Sequence, residues 1–176
     1  MKYLYTFLVF LFFFKSISQN VAYEKSGDIL YIALPSIALA STYIWNDEGK
    51  PVYQFLKSYA VSAVLVTAIK RTVNKSRPDG YRYSFPSGHT SSSFTGAAFL
   101  QRRYGWKIGV PAYLLAGYVG WTRVYANRHD TRDVLAGAAV GIGSVYLFTK
   151  PYEGKKVKIT ASPYSNGLLI ALNYIF

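Results

Sequence analysis

Residues 85–100 read FPSGHTSSSFTGAAFL, a stretch that predicts the beginning of a helix close to a functional residue. Pro86 restricts the approaching backbone, and the hydroxyl of Ser87 can cap the free N–H groups of the helix. Gly88 lets the backbone come close to a ligand, and His89 then lies in the first helical turn. Free N–H groups and the dipole of a helix N-terminus favour a bound anion. Taken alone, the pattern is also typical of an ordinary capped helix with an exposed histidine.

On both sides of this stretch, apolar segments alternate with short links that are charged or contain Pro and Gly. The apolar segments lie at residues 28–45, 53–69, 89–100, 107–121 and 131–148. They predict an all-α fold, a bundle of about five core helices that forms one domain over residues 20–150. Over residues 155–176 the pattern changes to strand-like alternation around a Pro and Asn-Gly turn, which predicts a C-terminal β-hairpin.

The composition limits the kinds of partner that this chain has. The 176 residues, of which 51% are hydrophobic, suffice for one compact domain with a continuous core. Lys and Arg number 20 against 8 Asp and Glu, and the resulting charge of +12 favours phosphate esters, acidic lipid surfaces or nucleic acid. Without cysteine the chain has no disulfide and no thiolate metal ligand. Charge alone does not choose among the anionic partners.

Residues 1–18 have the layout of an export signal. Lys2 precedes an unbroken apolar run over Tyr3–Phe14, and the small residues Ser16 and Ser18 follow. This layout predicts a secretory signal peptide with cleavage after Ser18 or, in the competing interpretation, an uncleaved N-terminal membrane anchor. The apolar run is shorter than the roughly 20 residues of a spanning helix, which favours cleavage. Either interpretation delivers the following residues outside the cytoplasm, to a bacterial-type cell envelope.

The sequence leaves open whether the helices span a membrane. The predicted helices are shorter than a usual span and the mean hydropathy of +0.13 is low, which favours a soluble or surface-seated bundle. If the chain crosses at each apolar segment, the basic links at 102–107 and 150–156 both fall on the cytoplasmic side, in agreement with the positive-inside rule. The basic loop 70–88 would then lie outside, so we interpret its charge as a binding site.

The loop KRTVNKSRPDGYRYS at residues 70–84 is strongly basic and predicts a phosphate clamp. Pro78 holds the preceding Arg77 in an extended or turn backbone, and a guanidinium can bind two phosphate oxygens at once. Lys70, at the end of the second helix, can add a point charge from another direction. A solvated basic loop and attraction to lipid headgroups are the alternatives for such a cluster.

The second histidine lies in the segment TRVYANRHDTRDVLAG at residues 122–137. His129 and Asp133 are four residues apart, so they share a face if the fifth helix begins there, and the carboxylate can accept the Nδ1 proton. Nε2 is then unprotonated and free to act as a nucleophile or base. Arg123, at the end of the fourth helix, can join the cationic residues. A His–Asp pair at this spacing is also typical of an ordinary helix surface.

Together, the three segments resemble the type 2 phosphatidic acid phosphatase superfamily, which includes membrane lipid phosphatases, soluble bacterial class A acid phosphatases and vanadium haloperoxidases. The resemblance covers roughly residues 53–148 and rests on three patterns in order: Lys-x6-Arg-Pro, Pro-Ser-Gly-His and (Ser/Thr)-Arg-x5-His-x3-Asp. The patterns fall at Lys70 with Arg77 and Pro78, at Pro86 to His89, and at Thr122, Arg123, His129 and Asp133. Thr122 stands where the family usually has serine, and it keeps the hydroxyl.

The resemblance implies a role for each residue of these motifs. His129 would attack phosphorus and form a phosphohistidine that water hydrolyses, Asp133 would orient it, and His89 would protonate the leaving oxygen. The non-bridging oxygens would be bound by Lys70, Arg77, Ser87, Gly88 and Arg123. The resemblance thus implies a phosphatase for phosphate esters or diphosphates that needs no metal and no cofactor. The composition agrees, because two histidines and few carboxylates leave little for a two-metal site.

We expect the substrate to be a lipid-linked phosphate at a membrane surface, with the site facing the periplasm or outside, because the body around the site is apolar and aromatic. The alternatives are a soluble periplasmic acid phosphatase for small esters and a vanadate-dependent haloperoxidase, since the same pocket can hold vanadate. A nucleic-acid-binding module would use the charge and the 17 tyrosines, but the export signal and the apolar helices argue against it. A purely structural membrane protein is disfavoured because every chemical position is filled.

Overall fold

The computed structural model describes the backbone of residues 2–44, 50–152, 156–164 and 167–175, and the side chains of residues 21–44 and 50–152. Its helices are α1 (Lys2–Ile44), α2 (Pro51–Val73), α3 (Gly88–Tyr104), α4 (Trp106–Tyr125) and α5 (Thr131–Phe148). Between residues 21 and 152, the described backbone contains helices and loops but no strand. The predicted all-α bundle of about five helices is therefore confirmed.

Two segments with strand geometry follow the bundle. They are β1 (Lys156–Tyr164) and β2 (Gly167–Ile175), which run antiparallel with Lys156 opposite Ile175. The link between them, residues 165–166, and all of their side chains lie outside the described residues. The C-terminal hairpin predicted for residues 155–176 therefore stays a prediction. The site is built from the helices and the loops between them.

The first helix is longer than the sequence pattern indicates. α1 runs over 43 residues and passes without interruption through Ser18, the predicted point of signal cleavage. The side chains of residues 2–20 lie outside the described part of the chain, so the signal peptide stays a prediction. The second half of α1 carries Glu24, Asp28 and Tyr31 into the end of the bundle where the site lies.

By length and composition, α1 and α2 can cross a membrane. Val21–Ile44 has 24 residues and Pro51–Val73 has 23, against the roughly 20 residues that a span needs. An 18-residue stretch within each has a mean hydropathy of 1.4. The predicted length of α2 was too short, because the helix continues through Lys70 and Arg71. Positive side chains are favourable in the last turn of a helix, beside the negative end of its dipole. Asn74, in the left-handed conformation with φ 45°, then ends the helix.

α3 lies at the centre of the bundle and packs against α1, α2, α4 and α5. Its sequence is polar, yet most of its serine and threonine side chains are buried. Ser91 Oγ lies 2.7 Å from Ser62 Oγ on α2, and the hydroxyl of Thr95 donates to the same oxygen at 3.1 Å. Buried polar groups are tolerated when they are hydrogen-bonded, so these bonds allow a polar helix to form part of the core.

Close contact between α3 and α5 brings two of the sequence motifs together. A Cβ at Gly137 of α5 would lie 2.5 Å from the carbonyl oxygen of Ser87, closer than real Cβ atoms approach. The backbone N–H of Ser87 also donates to the carbonyl of Asp133 at 2.9 Å. The residues before α3 and the first turn of α5 are thus fixed side by side, and both predicted histidines lie at the same end of the bundle.

Candidate active site

A cleft of about 480 Å³ lies at the end of the bundle where α3 begins, α4 ends and α5 begins. Four of the predicted site residues line it: Arg77, His89, Arg123 and His129. Further walls come from α1, which the sequence reasoning did not connect with the site. The structure therefore brings both histidines and two predicted phosphate-binding arginines into one cavity.

His129 lies just outside α5 rather than on it. The helix begins at Thr131, and Asp130 is its N-cap in a capping box with Asp133, so His129 and Asp133 do not share a helical face as the sequence reasoning supposed. The helix starts after the histidine because Asp130 satisfies the free N–H of Asp133, at 3.0 Å. The pair still forms, since the ring of His129 places Nδ1 3.4 Å from Asp133 Oδ2.

Asp133 is fully buried and accepts several hydrogen bonds. Lys75 Nζ donates to Oδ1 at 2.8 Å, while Ser84 Oγ and the backbone N–H of Asp130 donate to Oδ2. Burial alone would raise the pKa of this carboxyl, but the bonds from Lys75 and Ser84 outweigh it and hold the pKa below its usual range. Asp133 is therefore ionised and firmly held, which suits the expected role of orienting His129.

The environment of His129 keeps its imidazole neutral. The side chain is 3% exposed, and burial is the main reason that its pKa falls from 6.5 to about 4. The positive charges of Lys70 and Arg77 lower the pKa further, while Asp133 opposes them. Nδ1 lies 3.4 Å from Asp133 Oδ2 and 3.3 Å from Ser84 Oγ, whereas Nε2 has no bond to the described residues. A neutral ring with Nε2 free at the cleft is the state that a nucleophile needs.

Arg77 presents an unsatisfied donor at the cleft. Its Nε is buried and has no hydrogen-bond partner among the described residues. Leaving a buried donor without a partner costs about 1–3 kcal/mol, and more for a charged group, so such an atom indicates a binding site for an acceptor. The backbone N–H of Arg77 donates to the carbonyl of Tyr81 at 2.6 Å and fixes the turn. The turn thus holds the backbone of Arg77 beside the cleft.

Arg123, in the last turn of α4, has a side chain that is 3% exposed and is bonded on several sides. Nη1 donates to Asp28 Oδ1 at 2.8 Å, and Nη2 donates to the carbonyl of Glu24 at 2.7 Å. The hydroxyl oxygen of Thr122 accepts from Nε at 3.3 Å and from Nη2 at 3.2 Å. Thr122 therefore orients the guanidinium toward the cleft.

His89 lies in the first turn of α3, and its side chain is 35% exposed. Nε2 is 3.2 Å from Asp28 Oδ1, and the ring packs on Tyr31 with 4.1 Å between the ring centroids. Burial and the charge of Arg123 lower its pKa below 6.5, although Asp28 opposes them. An anion bound in the cleft would raise this pKa toward the range in which His89 carries a proton.

The other predicted phosphate ligands surround the cleft rather than line it. Lys70 Nζ donates to a backbone carbonyl of the loop before α3 at 2.8 Å. Ser87 is fully buried, and its hydroxyl accepts from Thr90 as the N-cap of α3, so the capping prediction is confirmed. Gly88 borders a neighbouring groove between α2 and α3. The contacts of these residues with phosphate stay predictions.

Several side chains at the site were missed by the sequence reasoning. Lys75, Ser84 and Asp28 bond predicted site residues, and Glu24, Tyr31, Ile32 and Arg128 also line the cleft. Lys75 bridges Asp130 and Asp133, but in the sequence it is one of several charges in a basic loop. Ser84 contacts Asp133 at a separation of 49 residues, and Asp28 contacts Arg123 at a separation of 95. Local spacing carries no signal at these separations. The one available clue was the Asp130–Asp133 spacing, which is typical of a capping box.

Within the described residues, no group of three or more His, Cys, Asp and Glu side chains is arranged to hold a metal ion. The positive charges at the cleft belong to Arg77, Arg123 and Arg128, which line it, and to Lys70 nearby. A reaction without metal or cofactor stays a prediction.

Comparison with known proteins connects this site to a family. A family model described as the PAP2 superfamily matches residues 79–155, a range that begins after Arg77 and contains both histidines. The lipid A 4′-phosphatase of Helicobacter pylori is 32% identical over 149 residues, which cover 76% of this chain and 72% of that protein. The lipid A 1-phosphatase of Porphyromonas gingivalis is 38% identical over 98 residues, which cover 53% of this chain and 22% of that protein.

Solved structures share the helical fold. The crystal structure of Aquifex aeolicus LpxE has a TM-score of 0.63 at 27% identity and covers 73% of this chain and 84% of that chain. A transmembrane PAP2 type phosphatidylglycerolphosphate phosphatase from Bacillus subtilis has a TM-score of 0.60 at 22% identity over 74% of each chain, a likeness of fold alone. Each likeness extends over most of the chain.

Proposed function

Because this chain belongs to the PAP2 superfamily and is a phosphatase of that family, we propose that it hydrolyses a lipid-linked phosphate ester or diphosphate through a phosphohistidine intermediate. One observation carries the proposal. The neutral, buried ring of His129 and the buried, unpaired Nε of Arg77 belong to the same cleft. A nucleophile and an anion ligand are thus prepared beside each other, as transfer of a phosphoryl group to the protein requires.

Two steps account for the hydrolysis. In the first, the Nε2 lone pair of His129 attacks phosphorus, the bond from phosphorus to the ester oxygen breaks, and His89 gives that oxygen a proton. Asp133 keeps the proton on Nδ1 and balances the positive charge that develops on the ring. In the second, water attacks the phosphorus and gives a proton to His89. Inorganic phosphate then leaves, and His129 regains its lone pair.

Fixed cations support both steps. Arg77 and Arg123 line the cleft, and Lys70 adds a third positive charge nearby. Phosphoryl transfer spreads negative charge over the non-bridging oxygens, and donors that are already in place stabilise that charge without reorganising. Ser87 and Gly88 complete the proposed set through a hydroxyl and a backbone N–H at the N-terminus of α3.

A lipid-linked substrate is supported by the surface of the bundle and by the relatives. α1 and α2 are long and apolar enough to cross a membrane. Large apolar side chains on them are exposed, among them Ile29 at 68% and Val64 at 66%. Exposed apolar surface on neighbouring long helices is typical of contact with lipid. The Helicobacter and Porphyromonas relatives are lipid A phosphatases, so we favour a phosphorylated lipid over a small soluble ester.

We place the chain in the cell envelope, associated with the membrane, with the site on the periplasmic or outer side. The export signal predicted for residues 1–18 supports this location. The basic links at 102–107 and 150–156 support it as well, because α3 and α5 end there, opposite the site, and these links would face the cytoplasm, as the positive-inside rule favours.

The test of the function compares hydrolysis of phosphatidic acid and lipid A in detergent micelles with hydrolysis of p-nitrophenyl phosphate, by the full chain in the presence of a metal chelator. We expect phosphate release from at least one lipid and inhibition by vanadate, which imitates the transition state. Hydrolysis of the soluble ester alone would show that the substrates are small esters rather than lipids. Peroxide-dependent halide oxidation with vanadate would indicate a haloperoxidase. Activity that the chelator removes and only a divalent ion restores would refute the mechanism.

A second test identifies the nucleophile. With ³²P-labelled p-nitrophenyl phosphate and an alkaline quench, the full chain should carry covalent label, and His129→Gln should carry none while losing at least about 10⁴-fold in kcat. His89→Gln is the matched control, because it keeps the nucleophile and the nitrophenolate leaves without a proton. This control should still become labelled. Label on His129→Gln would show that another residue attacks phosphorus.

A further inference from the structure

Asp28 of α1 lies between two groups of the proposed phosphate site. Its Oδ1 is 2.8 Å from Nη1 of Arg123 and 3.2 Å from Nε2 of His89. One carboxylate oxygen therefore contacts both a phosphate ligand and the acid that protonates the leaving group. No motif includes Asp28, and the two chemical steps give it no task.

The position of Asp28 is fixed by close packing of α1 on α4. A Cβ at Gly27 would collide with Thr122 Oγ1 and lie 2.6 Å from Nη2 of Arg123, so glycine favours this close approach. The Glu24 carbonyl, one turn earlier, accepts from the same guanidinium at 2.7 Å. The backbone is thus held in place, while the Asp28 side chain is 44% exposed at the cleft.

Asp28 is the exchangeable partner of Arg123, because it takes one N–H of Nη1 from the side of the cleft. Nε and Nη2 bond the Thr122 hydroxyl and the Glu24 carbonyl, which are fixed parts of the bundle. Among the described contacts of this guanidinium, the bond from Nη1 to Asp28 is the one whose partner is a half-exposed side chain. A phosphate oxygen that takes this N–H of Nη1 therefore competes with the carboxylate for the same cation.

We propose that Asp28 is a tethered anion that competes with the phosphate group of substrate and product for Arg123 and His89. The proposal rests on the proposed function in taking the cleft as a phosphate site. In the empty site, the carboxylate neutralises Arg123 and engages Nε2 of His89. A phosphate dianion displaces it and frees that nitrogen for the leaving oxygen. After hydrolysis, the returning carboxylate favours release of inorganic phosphate.

Asp28→Asn tests the proposal because it keeps the size of the side chain and removes the charge. We expect inorganic phosphate to bind the full chain in detergent about 5-fold more tightly than wild type by isothermal titration calorimetry, the gain typical of one lost ion pair at a half-exposed position. Product inhibition by phosphate should strengthen by the same factor. Asp28→Ser is the second variant, and it should tighten phosphate binding in the same direction.

Glu24→Gln is the matched control. It removes the same charge from the same helix one turn earlier, where the carboxylate pairs with Arg128 at 2.7 Å and does not contact Arg123 or His89. At 1 M salt the Debye length is about 3 Å, so charges that are not in contact are screened. Under this condition, Glu24→Gln should change the phosphate Kd by less than about 2-fold, while the effect of Asp28→Asn persists.

Phosphate binding that is unchanged or weaker in both Asp28 variants would make the residue a structural ion pair and overturn the proposal. Equal tightening by Glu24→Gln at high salt would also overturn it, because the effect would then be one of general charge. The Asp28 variants could bind phosphate more tightly while the wild type hydrolyses no phosphate ester. That result would support Asp28 as a tethered anion and refute the proposed function.

Discussion

The protonation of His129 is the property of the site that can be tested most directly. Its pKa falls from 6.5 to about 4 because the ring is buried and lies near the charges of Lys70 and Arg77. At about 1.36 kcal/mol per pH unit, this difference favours the neutral ring by about 3 kcal/mol. The ring therefore becomes protonated only when the pH falls below about 4, and at neutral pH roughly one ring in a thousand carries the second proton.

The perturbation is acidification of the ligand-free full chain in detergent, followed by NMR of ring-labelled histidine. The chain contains two histidines, so His89→Gln leaves a single ring that belongs to His129. We expect this ring to titrate with a midpoint near pH 4. The acid limb of kcat/KM should have the same midpoint, because this ratio reports the free enzyme. The NMR midpoint has the advantage of being independent of the substrate, whose second phosphate pKa of about 6 distorts the kinetic limb.

Arg77→Gln separates the causes of the low pKa. Removing this positive charge should raise the midpoint of His129 without bringing it to 6.5, because burial is the larger cause. Arg132→Gln is the matched control, since it removes an equal charge from an exposed position of α5 and should leave the midpoint unchanged. A midpoint near 6.5 for His129 with Arg77 intact would refute the reasoning from burial. A midpoint that Arg77→Gln does not move would refute the electrostatic part.

Two structural contacts that build the site can be tested by stability measurements. Gly137→Ala should lower the free energy of unfolding by about 1–3 kcal/mol, because the new Cβ would meet the Ser87 carbonyl at 2.5 Å, whereas Gly143→Ala enters open space and should be neutral or stabilising by up to about 1 kcal/mol. Denaturant unfolding in detergent compares the pair, and equal stability would contradict close packing of α3 on α5. Lys75→Met should lower the free energy of unfolding by about 2 kcal/mol and reduce kcat, because the buried carboxylate of Asp133 loses its ion pair. Unchanged stability and an unchanged initial rate would contradict this role of Lys75.

The sequence predicts the helical bundle well where local chemistry decides the ends of helices. α5 begins and ends where the apolar pattern does, at Thr131 and Phe148, and α3 begins at the predicted cap. The prediction fails for α1, because residues 19–28 are polar and show no apolar period. These residues are nevertheless helical, and their contacts with α4, such as that between Asp28 and Arg123, are tertiary. Sequence spacing does not report contacts of that kind.

The same distinction explains which parts of the site were predictable. Both histidines and the arginines are recognised from motifs, because the order and spacing of these residues resemble those of the family. The groups that set the state of the histidines come from elsewhere in the chain: Lys75 and Ser84 fix Asp133, and Asp28 engages His89. Burial of His129, the main cause of its neutral state, exists only once the helices have packed.

The two arginines of the cleft differ in the empty site, and the difference orders their contacts with phosphate. Arg123 is 3% exposed and is neutralised by Asp28, because an unpaired buried guanidinium would cost several kcal/mol. Nε of Arg77 is buried without a partner among the described residues. In the proposal, phosphate therefore finds Arg77 without a carboxylate partner among the described residues, whereas it takes Nη1 of Arg123 from Asp28 as that side chain moves away. Since that movement also frees Nε2 of His89, full occupation of the phosphate site and release of the acid become the same event.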